Sequence, residues 1–240
     1  SVPLIRDNYN TKTVKGFDYI IDNIKKINPP GKLTILSGPA GTGKSFFIKG
    51  LMDEISEQCT CVILPVSMIT QLDGPSLVPT LMKHKYGYDF DCSPDEESSI
   101  LDETKPTSKK EKPLIFICED ADNFLTPRER GDSSLISSFL NYTDGILSDI
   151  LNMRFICTTN MEHLKIDGAL KRPGRLLKHC DVGFLEPEQA NKIYQRLTEG
   201  KGTEVFDKEI SLATVYAKAS GADIYDPSEF EKEKKVGFNS

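Results

Sequence analysis

Gly38-Pro39-Ala40-Gly41-Thr42-Gly43-Lys44-Ser45 stands between the apolar run Leu33-Thr34-Ile35-Leu36 and the mixed run Phe46-Phe47-Ile48. A β-branched run that gives way to glycines and then to an amphipathic segment predicts a strand, a tight loop and a helix. The octapeptide fits GxxxxGK[ST] in the place that pattern requires. Its glycines let successive backbone N–H groups turn inward around phosphates, and the helix that follows adds its positive end. Lys44 can then reach the β- and γ-phosphates of a nucleoside triphosphate, and the Ser45 hydroxyl can hold Mg²⁺.

Outward from this loop, Phe47, Leu51 and Ile55 keep a four-residue step with Ile48 and Met52 alongside, which predicts one buried helix face. Further strands are predicted at Cys61 to Leu64, Leu114 to Cys118, Phe155 to Cys157 and Val182 to Leu185, each apolar enough to be covered on both faces. Between the second and third of these runs, Asp132 and Ser133 as caps, Leu135, Ile136, Phe139 and Leu140 as a face and Gly145 as terminator predict another helix. Strands alternating with helices imply a mainly parallel α/β sheet with helices on both faces. Asp89 to Lys112, rich in Ser, Asp, Glu and Lys, reads as a long surface insertion.

From Pro187 the pattern is helical. Ala190, Ile193, Tyr194 and Leu197 fall at i, i+3, i+4 and i+7; Ile210, Ala213 and Ala217 suggest a second helix; Asp226, Pro227 and Glu229 form the start of a third. The expected organisation is a large α/β unit over 1–185 and a small helical unit over 186–240.

Two further strands end in chemistry. Leu114 to Cys118 runs into Glu119 and Asp120, which places two carboxylates at the carboxyl edge of the sheet, where open α/β folds bind ligands. The spacing favours Glu119 for the metal and its waters and Asp120 for polarising an attacking water; Asp122 reads as a surface or interface acid. Phe155 to Cys157 leads through Thr158 and Thr159 to Asn160, an amide able to hydrogen-bond that water or a γ-phosphate oxygen.

Composition narrows the partners. The 240 residues suffice for one α/β domain with a small appendage, and 36 acids against 30 bases give net −6, which disfavours nucleic acid. No apolar run approaches the ~20 residues that span a bilayer, so no membrane partner is expected. Cys59, Cys61, Cys92, Cys118, Cys157 and Cys180 form no CxxC pair, which fits reduced thiols in a cytoplasmic compartment, and His84, His163 and His179 are scattered and form no metal cluster.

Taken in order, the loop Gly38 to Ser45, the Glu119-Asp120 pair, Asn160 and the segment Asp167-Gly168-Ala169-Leu170-Lys171-Arg172-Pro173-Gly174-Arg175 resemble the AAA+ ATPases over roughly residues 14 to 225. The Glu-Asp order, the stretch Phe139 to Gly145 and Thr158-Thr159-Asn160 are most similar to the Bcs1-like branch. The resemblance implies ATP hydrolysis with Mg²⁺. It also makes Arg172 and Arg175 fingers that reach the γ-phosphate of a neighbouring subunit, which requires a homo-oligomeric ring, with a hexamer the expected size. Ser220-Gly221-Ala222-Asp223-Ile224 resembles the stretch with which the family approaches the nucleotide base; Pro227 interrupts the helix that follows it there. Asp7, Asn8 and Tyr9 are placed to close the other side of the base pocket.

The loop Ser67 to Pro75 has no aromatic residue where threading members of the family carry one, with Leu72 as its apolar substitute. The leading expectation is therefore a remodeller of a protein or protein complex. The alternatives are a nucleic-acid motor or loader and a nucleotide-gated scaffold with little turnover.

Overall fold

The computed structural model describes residues 3–71, 79–81, 112–125, 139–143, 145–160 and 166–221. The helix start at Asp132 and Ser133, the loop residues Leu72 to Pro75, most of the insertion from Asp89, and Ala222 with the helix at Asp226 lie outside the described residues.

Five strands form one sheet: β1 (Leu33–Ser37), β2 (Thr60–Ile63), β3 (Leu114–Cys118), β4 (Met153–Thr159) and β5 (Leu176–Asp181). Every pairing is parallel and the order is β2-β3-β4-β1-β5. The three central strands are buried at every residue. Such strands read as near-continuous apolar runs, interrupted here by Thr34 and Arg154, which is why their apolar stretches are visible in the sequence. This is the α/β fold of the phosphate-loop nucleoside triphosphatases.

Two apolar layers cover the sheet. On one face Leu36, Ile115, Ile117 and Ile156 meet α1 (Thr11–Ile24) and α2 (Lys44–Ile55), whose Phe17 and Phe47 rings stack. On the other, Leu33, Ile35, Phe116 and Phe155 pack with Phe139, Tyr142, Leu151 and Leu170. At about 25 cal/mol per Å² of apolar surface buried, each fully covered Leu, Ile or Phe contributes about 2 kcal/mol of transfer free energy, so these layers set the sheet's position.

Two elements differ from the sequence reading. The fifth strand lies at Leu176–Asp181, not at Val182 to Leu185, where only Leu185 bridges Ile210. β5 is an edge strand, partly open to solvent, so Lys178, His179 and Asp181 are tolerated and break the apolar run by which a strand is recognised. The helix α1 was not anticipated, although Asn10 accepts from the Thr13 N–H as its N-cap and Phe17, Ile20, Ile21 and Ile24 line its buried face. Its Gly16 permits close packing, since a Cβ there would lie 2.8 Å from the Cys180 sulfur.

After the sheet come α3 (Pro187–Leu197) and α4 (Leu212–Ala219). Pro187 occupies the first turn of α3, and Ser211 caps α4 by accepting from the Thr214 N–H. No helix of the described residues is long and apolar enough to cross a membrane.

Candidate active site

β1 ends at Ser37, and the chain then turns through the loop into α2 at the carboxyl edge of the sheet. Gly38 has φ +143°, and a Cβ there would lie 2.1 Å from the Val182 carbonyl oxygen, so no L side chain fits. Gly43 precedes α2 with φ +99° and presents its carbonyl to the Tyr9 hydroxyl at 2.9 Å. Thr42 closes the turn by donating to the Pro39 carbonyl.

The Lys44 ammonium donates to three acceptors: the carbonyls of Gly38 (2.6 Å) and Pro39 (2.8 Å) and Oδ1 of Asn160 (2.9 Å). Burial pushes its pKa below the ordinary lysine value, while Asp120, Asp122 and Asp181 act in the opposite sense. Those carboxylates favour the charged form in a place where desolvation disfavours it.

β3 delivers the two acids to different partners. Ser45 Oγ donates to Glu119 Oε1 at 2.5 Å, so the hydroxyl and the carboxylate named for the metal lie together. The next residue turns away, because Asp120 sits at φ +52° with its N–H donating to Thr158 Oγ1. Its carboxylate lies 3.5 Å from the Asn160 amide nitrogen and faces a cavity of about 510 Å³. Ala40, Gly41, Gly43, Lys44 and Ser45 line that cavity together with Asp120, Thr158 and Asn160. A cavity of this size, floored by backbone of a phosphate loop and walled by one ammonium and an amide, suits a nucleoside triphosphate.

Several cavity residues were not anticipated. Phe46, Leu212, Ala213 and Tyr216 supply its apolar wall. The first turn of α4 rests on the phosphate loop itself: the Ala213 N–H donates to the Gly41 carbonyl at 2.9 Å. Leu212 and Tyr216 follow a helical step, but nothing local says which element that face meets.

Asn8 and Tyr9 stand behind the cavity and are not among its lining residues. Asn8 is fully buried; its amide donates to the Tyr216 hydroxyl at 3.0 Å and accepts from Arg196 at 2.5 Å. Gly221 is exposed, past the end of α4, and is also not among the lining residues.

Arg172 and Arg175 occupy the turn before β5. Arg175 donates to the Ala169 carbonyl, and its own carbonyl accepts from Lys32 and Leu33 at the start of β1. Since β1 and β5 are parallel with Leu33 opposite Leu176, this turn lies at the amino edge of the sheet, whereas the phosphate loop leaves the carboxyl edge. Four strand residues separate the two levels by roughly 13 Å.

Residues 34–184 match the family model described as ATPase family associated with various cellular activities (AAA). The chain belongs to the AAA ATPases. The AAA match runs from β1 past β5 and includes every residue that lines the cavity except those of α4.

Among curated relatives, the chain is 25% identical over 200 residues to the ATPase family gene 2 protein of Schizosaccharomyces pombe, covering 81% of this chain and 22% of that protein. It is 26% identical over 211 residues to the probable mitochondrial chaperone bcs1 of the same yeast, covering 80% and 40%. With the cell division cycle protein 48 homolog of Archaeoglobus fulgidus it shares 27% over 175 residues, covering 70% and 20%. The chain thus spans less than half the length of these relatives. Membership of the AAA family implies nucleotide binding and ATPase chemistry.

Proposed function

We propose that this chain is the Mg²⁺-dependent ATP-hydrolysing module of a ring-forming AAA protein that remodels a protein or protein complex. The observation that carries the ring is the placement of Arg172 and Arg175 at the sheet edge opposite their own phosphate loop. A guanidinium there serves a nucleotide only if that nucleotide belongs to a neighbour, and head-to-tail contacts that close make a ring. A finger of this kind is worth on the order of 10³ to 10⁵ in rate in other nucleotide hydrolases.

Within one subunit, the backbone of Gly38 to Gly43 and the ammonium of Lys44 would hold the phosphates. Ser45 and Glu119 would hold Mg²⁺, which neutralises charge on the β- and γ-oxygens when bound. Asp120 orients and polarises the attacking water, and Asn160 holds it or a γ-oxygen. The division into a nucleotide-binding unit over 1–185 and a helical lid over 186–240 accords with α4 resting on the loop. A relative named as a probable mitochondrial chaperone supports a protein client over nucleic acid.

The test is turnover by the assembled protein. Asp120→Asn is expected to bind ATP with affinity near wild type and to lose hydrolysis, and a ring of that variant held in ATP should retain its client. Arg172→Ala or Arg175→Ala should keep ATP affinity and lose turnover; mixing either with Asp120→Asn subunits should restore part of it, because one variant supplies the acid and the other the finger. Unchanged turnover in both arginine variants, or stimulation of the wild type by DNA or RNA, would remove the proposal.

A further inference from the structure

Asp122 begins a single helical turn, Asp122–Leu125, two residues past the second of the acids that follow β3. The left-handed residue Asp120 reverses the chain there, and the Ala121 N–H donates to the Thr158 carbonyl at 2.8 Å. The reversal brings the Asp122 carboxylate back over the end of β4. One oxygen, Oδ1, accepts from the Thr159 hydroxyl at 2.6 Å and from the Asn160 backbone N–H at 3.1 Å.

Both bonds are made to an ionised acceptor, the stronger class of hydrogen bond. The Thr159 side chain is wholly buried, so its hydroxyl depends on a protein partner. Asn160 is the residue at which β4 leaves the sheet, and its own side chain spans from the Lys44 ammonium to the Asp120 carboxylate. Asp122 is not among the residues that line the cavity.

We infer that Asp122 is a positioning residue for hydrolysis: its carboxylate staples the end of β4 so that the Asn160 amide meets both Lys44 and Asp120. The inference rests on the ATPase reading above and deepens it. A reacting group displaced by about 1 Å can cost on the order of 10²-fold in rate, so the staple acts on kcat and leaves ATP affinity alone.

Three variants separate orientation from charge and from folding. Asp122→Ala removes both acceptor bonds and should lower kcat about 10- to 100-fold, with KM for ATP within about twofold. Asp122→Asn keeps an oxygen in the same place and should recover most of that loss. Thr159→Val removes one of the two bonds at nearly constant volume and should lower kcat several-fold, adding nothing further in the Asp122→Ala background, since the two act as one unit.

A readout independent of turnover is the hydrogen exchange of the Asn160 backbone amide: protected in the wild type and in Asp122→Asn, unprotected in Asp122→Ala. If the wild-type chain binds ATP without hydrolysing it, the ATPase reading fails, and the exchange measurement still decides whether the staple exists. The inference is overturned if the Asn160 amide exchanges equally in wild type and Asp122→Ala, if Asp122→Asn is as impaired as Asp122→Ala, or if ATP affinity falls in step with kcat.

Discussion

At the scale of single residues, the molecule places charge where burial makes it costly. Arg154 lies in the first part of β4 with no solvent exposure. Its guanidinium donates to the Asn152 carbonyl and side-chain oxygens at 2.9 and 2.6 Å, and to the carbonyls of Lys26 and Ile27 at 2.5 and 3.3 Å. It therefore ties the segment after α1 to the strand that carries Asn160. Arg154→Ala takes the donor from the Lys26 and Ile27 carbonyls and from the Asn152 side chain and leaves a void, while the Asn152 carbonyl keeps the Leu114 N–H; it is expected to cost about 3 to 5 kcal/mol in chemical denaturation. Arg154→Met, which fills the space, should cost less; an alanine variant within about 1 kcal/mol of wild type would refute this role.

Elements meet at the site through their ends. α2 points its first turn at the loop, β3 and β4 deliver side chains from their carboxyl ends, and α4 lays its first turn on Gly41. That last contact depends on the cap: Ser211 Oγ accepts from the Thr214 N–H at 3.1 Å and lies 2.7 Å from the Thr214 hydroxyl. Ser211→Ala should cost about 1 kcal/mol of stability. It should also weaken ATP binding measured by titration, because the frayed turn includes Leu212 and Ala213 of the cavity wall. An affinity equal to wild type in a variant that has lost the expected stability would show that α4 does not contribute to binding.

Over the whole molecule, the buried and half-buried thiols give stability a pH dependence with a definite sign. Burial pushes the Cys61 and Cys180 thiols up from 9.0 to about 11, and raises Cys59 and Cys157 as well. Cys61 and Cys180 then stay protonated in the folded chain while the unfolded chain ionises between pH 9 and about 11, so their contribution is complete below pH 9 and lost as pH rises through about 11. Thermal unfolding under reducing conditions should show Cys180→Ala losing less stability than the wild type between those limits. Identical slopes would contradict it. Groups shifted the other way, such as Lys44, are common to both proteins and cancel in the comparison.

The order of amino acids specifies the phosphate loop, the central strands and the residues at their ends, because each is a local pattern: glycines at a turn, a near-continuous apolar run, acids or an amide where that run stops. It also carried the family through the order of those patterns. Which ends meet is set by the packed fold. Lys44 and Asn160 are 116 residues apart, Ser45 and Glu119 are 74 apart, and Asn8 and Tyr216 are 208 apart. The staple by Asp122, read locally as a surface acid, became visible only when β4 lay beside β3. The edge strand β5 and the wall formed by α4 were hidden for a related reason. One side of β5 faces solvent and tolerates charge, and an amphipathic helix states that it has a partner without naming it. Packing two apolar layers onto one parallel sheet supplies the missing information, since it brings chain ends of unrelated sequence position to a single edge.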